Sequence, residues 1–395
     1  MPYRVSARQQ ARKSAKNNSS PAIEGCFRAC PGVASSTMQT SYAPGRVELL
    51  GNHTDYNEGV VLSAAIDRGV TLTGEATGSS RVALCSVTLG KTYEADATAL
   101  APSRENEWAN YLLGVLDVYQ KNGLPVGGFT AEIQSNLPLG AGLSSSAALE
   151  VSTAMLLQKL FGLNVDRLQM AKMCRRAENE FVGVNCGLLD QASSAFGKAG
   201  HAIFLDCRNE TVETTPFPDG VELLITQCGV PHRLAGGEYN ERRLQCFDAA
   251  TRLGAKALRD VTSAQLEAAK STLPELSYKR AAHVVGENER VMQGIAFLKA
   301  GNVAGFGALM FASHESSRVN FENSTPELDA LVEIAKGLPG VLGSRLTGGG
   351  FGGATVTLLE REKAQSVAEA LVAKYHERTG HMAKTHLCEI ADGAF

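Results

Sequence analysis

Every second residue is apolar from Phe129 to Ile133, and a longer apolar run begins a few residues later. The alternation has the period of two that is typical of a strand, which we predict from Phe129 to Leu137. The run from Ala147 to Phe161 is rich in alanine and leucine and contains neither proline nor glycine, so we predict a buried helix there. A strand, a short loop and a helix therefore follow one another.

The same patterns predict a mixture of helices and strands along the rest of the chain. Apolar residues recur with helical spacing from Trp108 onwards, which indicates a helix. Further strands are predicted at Val60–Ile66, Ala202–Asp206, Val221–Thr226, Val341–Thr347, Ala354–Leu359 and His386–Ile390. Further helices are predicted at Asp166–Val182, Glu238–Leu258, Lys279–Phe311, Pro326–Lys336 and Glu362–Lys374. Prolines and a glycine between two of the strands place a domain boundary around Pro216–Gly220.

Length and composition describe an ordinary globular protein. The chain has 395 residues, 44% of them hydrophobic and 20% charged, which is enough for two or three domains. A net charge of −3 argues against nucleic acid or an anionic membrane as the main partner. No uninterrupted apolar run approaches the roughly 18 residues that a transmembrane helix needs. The nine cysteines are scattered and odd in number, which favours a reducing compartment and free thiols.

Residues 1–40 differ from the rest of the chain. The first 22 residues contain five basic side chains, no acidic one and little apolar content, so they lack the material for a core. We interpret them as a disordered extension or the product of a misplaced start codon. An organelle transit peptide has a similar composition and is the alternative.

A loop rich in glycine and serine joins the strand that ends near Leu137 to the helix that begins at Ala147. Its sequence is Pro138-Leu-Gly-Ala-Gly-Leu-Ser-Ser-Ser-Ala147. Glycines let the backbone approach an anion closely, and the start of a helix offers free N–H groups and a positive dipole end. The loop fits neither of the two commonest phosphate-binding motifs. An ordinary capped helix after a glycine turn is the alternative.

Two further segments and one carboxylate carry candidate chemistry. Residues 43–59 gather Arg46, His53 and Asp55 between apolar strands, as a polar site or as a solvated loop. Asp190 has apolar neighbours and either caps a helix or acts as a base. The glycines of residues 348–353 match G-x-G-x-x-G, but a strand follows them instead of a helix, so we reject a dinucleotide site.

Together these segments resemble the galactokinases, a family of the GHMP small-molecule kinases. The resemblance extends over residues 41–395 and depends on three motifs in the same order. These are Gly45-Arg with Gly51-Asn-His-Thr-Asp-Tyr56, the serine loop 138–147, and Gly343-Ser-Arg-Leu-Thr-Gly-Gly-Gly-Phe-Gly-Gly353. The resemblance implies an α+β fold with an N-terminal lobe at 41–216, a C-terminal lobe at 217–395 and the active site in the cleft between them.

The resemblance also implies an activity, in which ATP and Mg²⁺ are used to phosphorylate D-galactose at the C1 hydroxyl. Asp190 and Arg46 match the catalytic pair, and Ser146 and Glu178 match the Mg²⁺ ligands. The matching sugar contacts are Asn52, His53, Asp55, Gly187 and Tyr239. The matching ATP contacts are Trp108 and Tyr111 at the adenine, and Gly140, Gly142, Leu143, Ser144, Ser145 and Ser146 at the phosphates. From the residues alone, Trp108 and Tyr111 are most simply core side chains, and a flat pocket for a nucleotide base is the alternative.

One departure from the family pattern concerns the sugar. Galactokinases have an asparagine where this chain has Glu48 and a glutamate where it has Asn52, and that glutamate contacts the C6 hydroxyl. Either Glu48 still reaches C6 or fixes the amide that does, or Asn52 contacts C6 alone. The alternatives to a galactokinase are a kinase for a modified galactose and a galactose-responsive regulator, although Ser146 and Ala147, which such regulators lack, are present. We expect a cytoplasmic monomer that binds sugar and ATP and neither nucleic acid nor membrane.

Overall fold

The computed structural model describes residues 37–138, 140–230 and 236–395. Most of the predicted N-terminal extension therefore lies outside the described residues. Its last two residues already belong to the first strand, which begins at Gln39. No helix in these ranges is long and apolar enough to cross a membrane.

The strands alternate with helices in the first half of the chain and return in its last quarter. They are β1 (Gln39–Leu50), β2 (Val60–Ala76), β3 (Arg81–Ser86), β4 (Lys91–Asp96), β5 (Phe129–Ser135), β6 (His201–Asp206), β7 (Thr211–Pro216), β8 (Val221–Gln227), β9 (Val341–Thr347), β10 (Ala354–Glu360) and β11 (Lys384–Cys388). The exposed β7 was not predicted, because its sequence TVETTP contains too few apolar residues to give a strand pattern.

The helices fill the intervals. They are α1 (Glu107–Lys121), α2 (Ser145–Phe161), α3 (Arg167–Arg176), α4 (Leu189–Phe196), α5 (Gly236–Arg252), α6 (Ser263–Ala268), α7 (Glu275–Lys299), α8 (Val303–Ser316), α9 (Pro326–Lys336) and α10 (Ala364–Thr379). Two of them continue as π-helical turns, α3 through Ala177–Val182 and α8 through Ser317–Phe321. Such turns are frequent at functional sites.

The first sheet has seven strands and is built around β2. The order is β4-β3-β5-β2-β6-β7, and β1 also pairs with β2. One end of β2 pairs with β6 and the other with β5, while β1 runs antiparallel along most of its length. Only β3 and β5 are parallel among the strand pairs of this sheet in the described ranges. This arrangement fixes the loop after β1 against a continuous buried framework.

The second sheet has four antiparallel strands in the order β11-β8-β10-β9. The chain then returns to the first sheet. Ile66 and Ile390 form an isolated bridge, and the backbones of Tyr42 and Phe395 exchange two hydrogen bonds of 3.0 Å. The carboxyl terminus therefore pairs with β1, the strand that carries Arg46.

Many predicted elements are confirmed within two or three residues. The strand predicted at Val60–Ile66 extends to Ala76, the helix predicted at Glu362–Lys374 extends to Thr379, and β3, β4 and α6 were not predicted. Two other helices needed correction. The predicted helix Lys279–Phe311 is two helices, since Gly301 has a φ of 68° and the Asn302 side chain accepts a bond from the Gly305 N–H to cap the second one. The predicted helix Glu238–Leu258 ends at Arg252, just before Gly254 with a φ of 67°. A glycine with positive φ ends a helix readily.

Candidate active site

A cavity of about 520 Å³ lies where the loop after β1, the π-helical turn after α3, the start of α4 and the start of α5 meet. The predicted site residues in its lining are Arg46, Asn52, His53, Asp55, Glu178, Gly187, Asp190 and Tyr239. The remaining predicted residues, all from the serine loop or α1, lie outside that lining. Of these, Gly142, Leu143, Ser144 and Ser146 are joined to lining residues by the hydrogen bonds described below.

Asp190 stands in the first turn of α4 and is held by two donors from separate elements. The Arg46 side chain donates from Nε to Asp190 Oδ1 at 2.7 Å, and Nη2 lies 2.6 Å from the same oxygen. The Ser144 hydroxyl donates to Oδ2 at 2.5 Å. Because both oxygens are engaged, the carboxylate has a fixed orientation.

Arg46 also joins this carboxylate to the serine loop. Its Nη1 donates to the carbonyl oxygen of Gly142 at 2.6 Å, and its backbone N–H donates to the carbonyl oxygen of Leu143 at 3.1 Å. Leu143 itself is buried in the core. One guanidinium therefore fixes the distance between Asp190 and the backbone of the loop.

The serine loop leaves the start of α2 open. Gly142 has a φ of 66°, and Ser144, at the N-cap, has a φ of 55° and makes no capping bond because its hydroxyl is used on Asp190. The N–H groups of the first helical turn have no partner within the helix. A phosphate is the ligand that such a helix start favours.

Glu178 lies on the π-helical turn and faces the start of α2. A hydrogen bond joins its carboxylate to Ser146. Two side chains donate to Glu178 Oε2. Cys186 donates from Sγ at 3.1 Å, and Gln191 donates from Nε2 at 2.7 Å. Gln191 Nε2 also lies 3.0 Å from Glu150 Oε2. Burial raises the pKa of Glu178, and the bonds from Cys186, Ser146 and Gln191 oppose that rise.

Ser146 and Glu178 are suitable ligands for Mg²⁺. A hydroxyl and a carboxylate are hard oxygen donors, and Mg²⁺ in phosphoryl-transfer enzymes takes few protein ligands, the rest being phosphate and water. No group of three or more His, Cys, Asp or Glu side chains that could hold a metal occurs in the described ranges. The residues therefore fit a metal ion that arrives with a phosphate.

Asp55 and Gly187 lie next to each other in the lining of the cavity. A side chain at Gly187 would not fit, because its Cβ would lie 2.5 Å from Asp55 Oδ2. The pKa of Asp55 is raised to about 6, chiefly by burial, with smaller contributions from Glu48 and Asp190 and an opposing one from backbone N–H groups. The carboxylate thus has a close backbone neighbour on one side and the open cavity on the other.

His53 and Tyr239 form the aromatic wall next to Asp55. Burial lowers the pKa of His53 to about 4, so the ring is neutral near pH 7. Its Nε2 lies 2.9 Å from the carbonyl oxygen of Gly349 and its Nδ1 lies 2.9 Å from the Tyr56 hydroxyl. Since a carbonyl only accepts, Nε2 carries the hydrogen and the tautomer is fixed. The Tyr239 ring lies 5.3 Å from that of His53.

Family models and curated relatives agree on the origin of this site. A model of the GHMP kinases N terminal domain matches residues 110–198, and one of the GHMP kinases C terminal matches residues 295–377. A model described as the galactokinase galactose-binding signature matches residues 26–75. A galactokinase of Thermotoga petrophila is 42% identical over 352 residues, which cover 89% of this chain and 98% of that protein. The chain belongs to the galactokinase family.

Other relatives agree with this assignment. The galactokinase of Homo sapiens is 42% identical over 360 residues, 89% of this chain and 90% of its own. A crystal structure of Lactococcus lactis galactokinase complexed with galactose has a TM-score of 0.87 and 32% identity, and covers 95% of this chain and 97% of that one. A mevalonate kinase from Methanococcus jannaschii, 19% identical with a TM-score of 0.65 over 91% of this chain, shares the fold. The two-domain GHMP fold predicted from the sequence is thereby confirmed.

The two residues that the galactokinase resemblance assigns to adenine lie together at the start of α1. Trp108 and Tyr111 are both half-buried. The Trp108 Nε1 is buried without a hydrogen-bond partner in the described part of the chain. Burial raises the pKa of Tyr111 to about 12, with Glu178 and Glu150 adding to the rise. Tyr111 therefore lies near Glu178, on the side of the molecule where the phosphates are expected.

The glycine loop of this galactokinase-family chain joins β9 to β10 and lies against the serine loop. A Cβ added at Gly348 would be 3.7 Å from the carbonyl oxygen of Gly142. At Gly350 a Cβ would be 2.2 Å from the carbonyl oxygen of Asn323, so only glycine fits. The loop places the carbonyl groups of Gly348 and Gly349 within reach of Asn52 and His53. The glycine loop thereby supports the loop after β1, and no helix of the dinucleotide-binding type begins in it.

Sequence patterns did not reveal the buried polar residues that support the site. Gln191 and Glu150 lie behind Glu178, while Arg345 and Glu287 lie behind Glu48 and Asn52. Glu287 Oε2 accepts the backbone N–H groups of Gly51 and Asn52 at 2.7 and 2.9 Å. The one available signal was position, because Gln191 follows Asp190 and Arg345 lies within the glycine-loop motif.

Proposed function

We propose that the protein transfers the γ-phosphoryl group of ATP to the C1 hydroxyl of D-galactose, which gives α-D-galactose 1-phosphate and ADP. Membership of the galactokinase family supports this reaction. The observation that carries it is the position of Asp190, which lines the cavity and is bonded to both Arg46 and Ser144. The same carboxylate therefore lines the cavity and contacts the serine loop.

Asp190 and Arg46 divide the work at the reacting oxygen. Asp190 orients the sugar hydroxyl. It either accepts the proton of that hydroxyl or acts mainly through its negative charge. Arg46 holds Asp190 in place through a charge-assisted hydrogen bond and compensates charge on the migrating phosphoryl group. Phosphoryl transfer depends on positioning and charge neutralisation more than on covalent chemistry. Asp190 and Arg46 supply both at the reacting oxygen.

The serine loop and the start of α2 hold the phosphates of ATP. Open N–H groups, the helix dipole and the hydroxyls of Ser144, Ser145 and Ser146 are complementary to phosphate oxygens. Ser146 and Glu178 would hold Mg²⁺, whose charge, once bound, neutralises the β- and γ-phosphates. Trp108 and Tyr111 enclose the adenine on the same side of the molecule.

His53, Asp55, Gly187 and Tyr239 surround the sugar. Asp55 accepts hydrogen bonds from sugar hydroxyls, and the absence of a side chain at Gly187 leaves room for the ring beside it. Aromatic rings pack well against the apolar face of a sugar. The protein has two lobes, residues 41–216 and 217–395, and acts as a monomer in the cytoplasm without a nucleic acid or membrane partner.

A sugar panel tests the proposal. The purified protein is incubated with ATP, Mg²⁺ and one sugar at a time, and ADP release is followed by a coupled assay. We expect galactose to give the highest kcat/KM. Galactose binding by calorimetry without turnover of any sugar would favour a regulator instead. Turnover of another sugar with no activity on galactose would contradict the proposed substrate.

A further inference from the structure

We propose that Glu48, and not Asn52, is the residue of the loop after β1 that bonds a hydroxyl of the sugar, and that Arg345 holds Glu48 in position. This inference depends on the proposed function and names a specificity-determining residue for it. Both Glu48 and Asn52 line the cavity. Their hydrogen bonds distinguish them.

The Asn52 amide has no capacity left for a ligand. Its Nδ2 donates to Glu48 Oε1 at 2.9 Å and to the carbonyl oxygen of Gly348 at 2.8 Å. Its Oδ1 accepts from Asn323 Nδ2 at 2.9 Å and from the Ser317 hydroxyl at 3.5 Å. A primary amide has two donor hydrogens and two acceptor lone pairs. All four are used to join β1, the glycine loop and the π-helical turn after α8.

The Glu48 carboxylate is used on one side only. Asn52 Nδ2 and Arg345 Nη2 both contact Oε1, at 2.9 and 3.0 Å. Oε2 has no hydrogen bond or ion pair with any residue in the described ranges. Glu48 is almost fully buried, but it lines the cavity and its Oε2 is not sealed inside the protein. The cavity is therefore where a donor can reach this oxygen. A hydroxyl of the ligand would satisfy it.

Arg345 is fully buried on β9, and Glu48 is its one ion-pair partner in the described part of the chain. None of its three guanidinium nitrogens has a hydrogen-bond partner there, so the contact of Nη2 with Glu48 Oε1 is an ion pair. Burial raises the pKa of Glu48, while the charges of Arg345 and Arg46 oppose that rise. The rigid strand therefore supplies the charge that keeps a carboxylate at this wall of the cavity, with Oε1 held and Oε2 left for the ligand.

The test compares kcat/KM for galactose with that for its 2-, 3-, 4- and 6-deoxy analogues in several variants. Removing the hydroxyl that Glu48 bonds should lower the wild-type kcat/KM at least tenfold. In Glu48→Ala that penalty should shrink to less than about threefold at this one position, because the polar partner is already gone. The penalties at the other positions should persist.

Asn52→Ala is the matched control. It should lower the melting temperature, since four bonds are lost, and keep the wild-type pattern of penalties. Arg345→Met should raise KM for galactose more than it lowers kcat, with the same single position affected, and Arg345→Lys should recover part of the loss.

The outcomes separate this inference from the proposed function. Wild-type activity on galactose tests the function, and the pattern among the variants tests Glu48. If Glu48→Ala does not fold, Glu48→Leu fills the space without a hydrogen-bonding group and gives the same comparison. The inference is overturned if Glu48 variants retain every penalty, or if Asn52→Ala removes one.

Discussion

Asp190 shows how single contacts determine the chemistry of this site. Its two oxygens are bonded by Arg46, from the first sheet, and by Ser144, from the serine loop. Arg46 in turn bonds the carbonyl oxygen of Gly142. A sugar hydroxyl and a phosphate held at these two neighbouring places would meet at the carboxylate, which is why we propose that Asp190 acts at the reacting oxygen.

Replacing that carboxylate tests its role. Asp190→Asn keeps the volume but removes the charge and the proton acceptor, so we expect kcat to fall by about 10²- to 10⁴-fold. The melting temperature and ATP affinity, measured by differential scanning fluorimetry and calorimetry, should stay near wild type. A variant with wild-type kcat would show that Asp190 is only structural.

Asp55 gives a pH-dependent prediction. Its pKa is raised, chiefly by burial, from 3.8 to about 6. Between these values the folded state binds more protons than the unfolded state, so stability falls as the pH rises and the cost is fully present above pH 6. Asp55→Asn should therefore increase the free energy of unfolding at pH 7.5 by on the order of 1–3 kcal/mol. Near pH 3.5 it should have little effect.

Asp206 is the control with the opposite sign. Hydrogen bonds from Arg259 lower its pKa to about 2. Its contribution to stability is therefore present above pH 4 and lost as the pH falls towards 2. Asp206→Asn should destabilise the protein at pH 7.5. Urea titrations of both variants at the two pH values measure the effects, and the same sign for both would contradict the assigned pKa shifts.

Residues adjacent to a motif could be predicted from the sequence, and those that reach it through the fold could not. Arg46, His53 and Asp55 occur within ten residues of one another. Arg345, by contrast, meets Glu48 across almost 300 positions, and Glu150 meets Gln191 across 41. A buried side chain of this kind is recognised only by its contacts, and no local pattern of polarity specifies it.

At the level of elements, two loops that follow strands meet at one helix start. The serine loop precedes α2, and the glycine loop between β9 and β10 lies against it. The π-helical turn after α3 places Glu178 beside Ser146 on α2. A π-turn shifts the side chains that follow it relative to a regular helix, so this shift is part of how the pair is formed.

The Ser146–Glu178 pair predicts a specific metal defect. Ser146→Ala combined with Glu178→Gln removes one oxygen ligand and the negative charge of the other, so we expect the Mg²⁺ concentration for half-maximal activity to rise at least tenfold. Calorimetry of ATP binding with and without Mg²⁺ should show a smaller metal effect in the variant. Glu132→Gln, a change at a buried carboxylate on β5, is the control. Unchanged metal dependence would contradict the assignment.

The elements that sequence patterns missed have physical reasons. The break between α7 and α8 depends on one glycine and one asparagine cap, which a long apolar pattern conceals. The edge strand β7 is stabilised by backbone pairing with β6 over six residue pairs. Its side chains are largely polar and exposed, so its hydrophobic pattern is weak. Helices such as α9, with a threonine cap and a first-turn proline, were predicted at their observed bounds.

At the scale of the whole molecule, the two sheets are joined by the end of the chain. Phe395 exchanges backbone bonds with Tyr42 on β1, and its ring packs 5.4 Å from that of Tyr42. Lys159 on α2 lies over the same Phe395 ring. The last residue thus contacts both the strand that carries Arg46 and the helix that follows the serine loop, which makes the terminus part of the framework of the site.

The other end of the chain is predicted to be dispensable. Because residues 1–22 have five basic and no acidic side chains and few apolar ones, we expect their deletion to leave kcat/KM unchanged and the melting temperature within about 1–2 °C. Circular dichroism melts and steady-state kinetics of the full-length and shortened proteins provide the comparison. A clear loss in either would show that the segment docks onto the rest of the protein.

The central claim is phosphorylation of galactose at C1, and phosphorus NMR of the reaction tests it most directly. The protein is incubated with ATP, Mg²⁺ and galactose, and the sugar phosphate is observed with its couplings to sugar protons. We predict one new sugar-phosphate resonance that is coupled to the anomeric proton and grows as ATP becomes ADP. A small coupling between the anomeric proton and the neighbouring ring proton should identify the α form. A phosphate coupled to any other sugar proton, or inorganic phosphate as the sole product, would contradict the account.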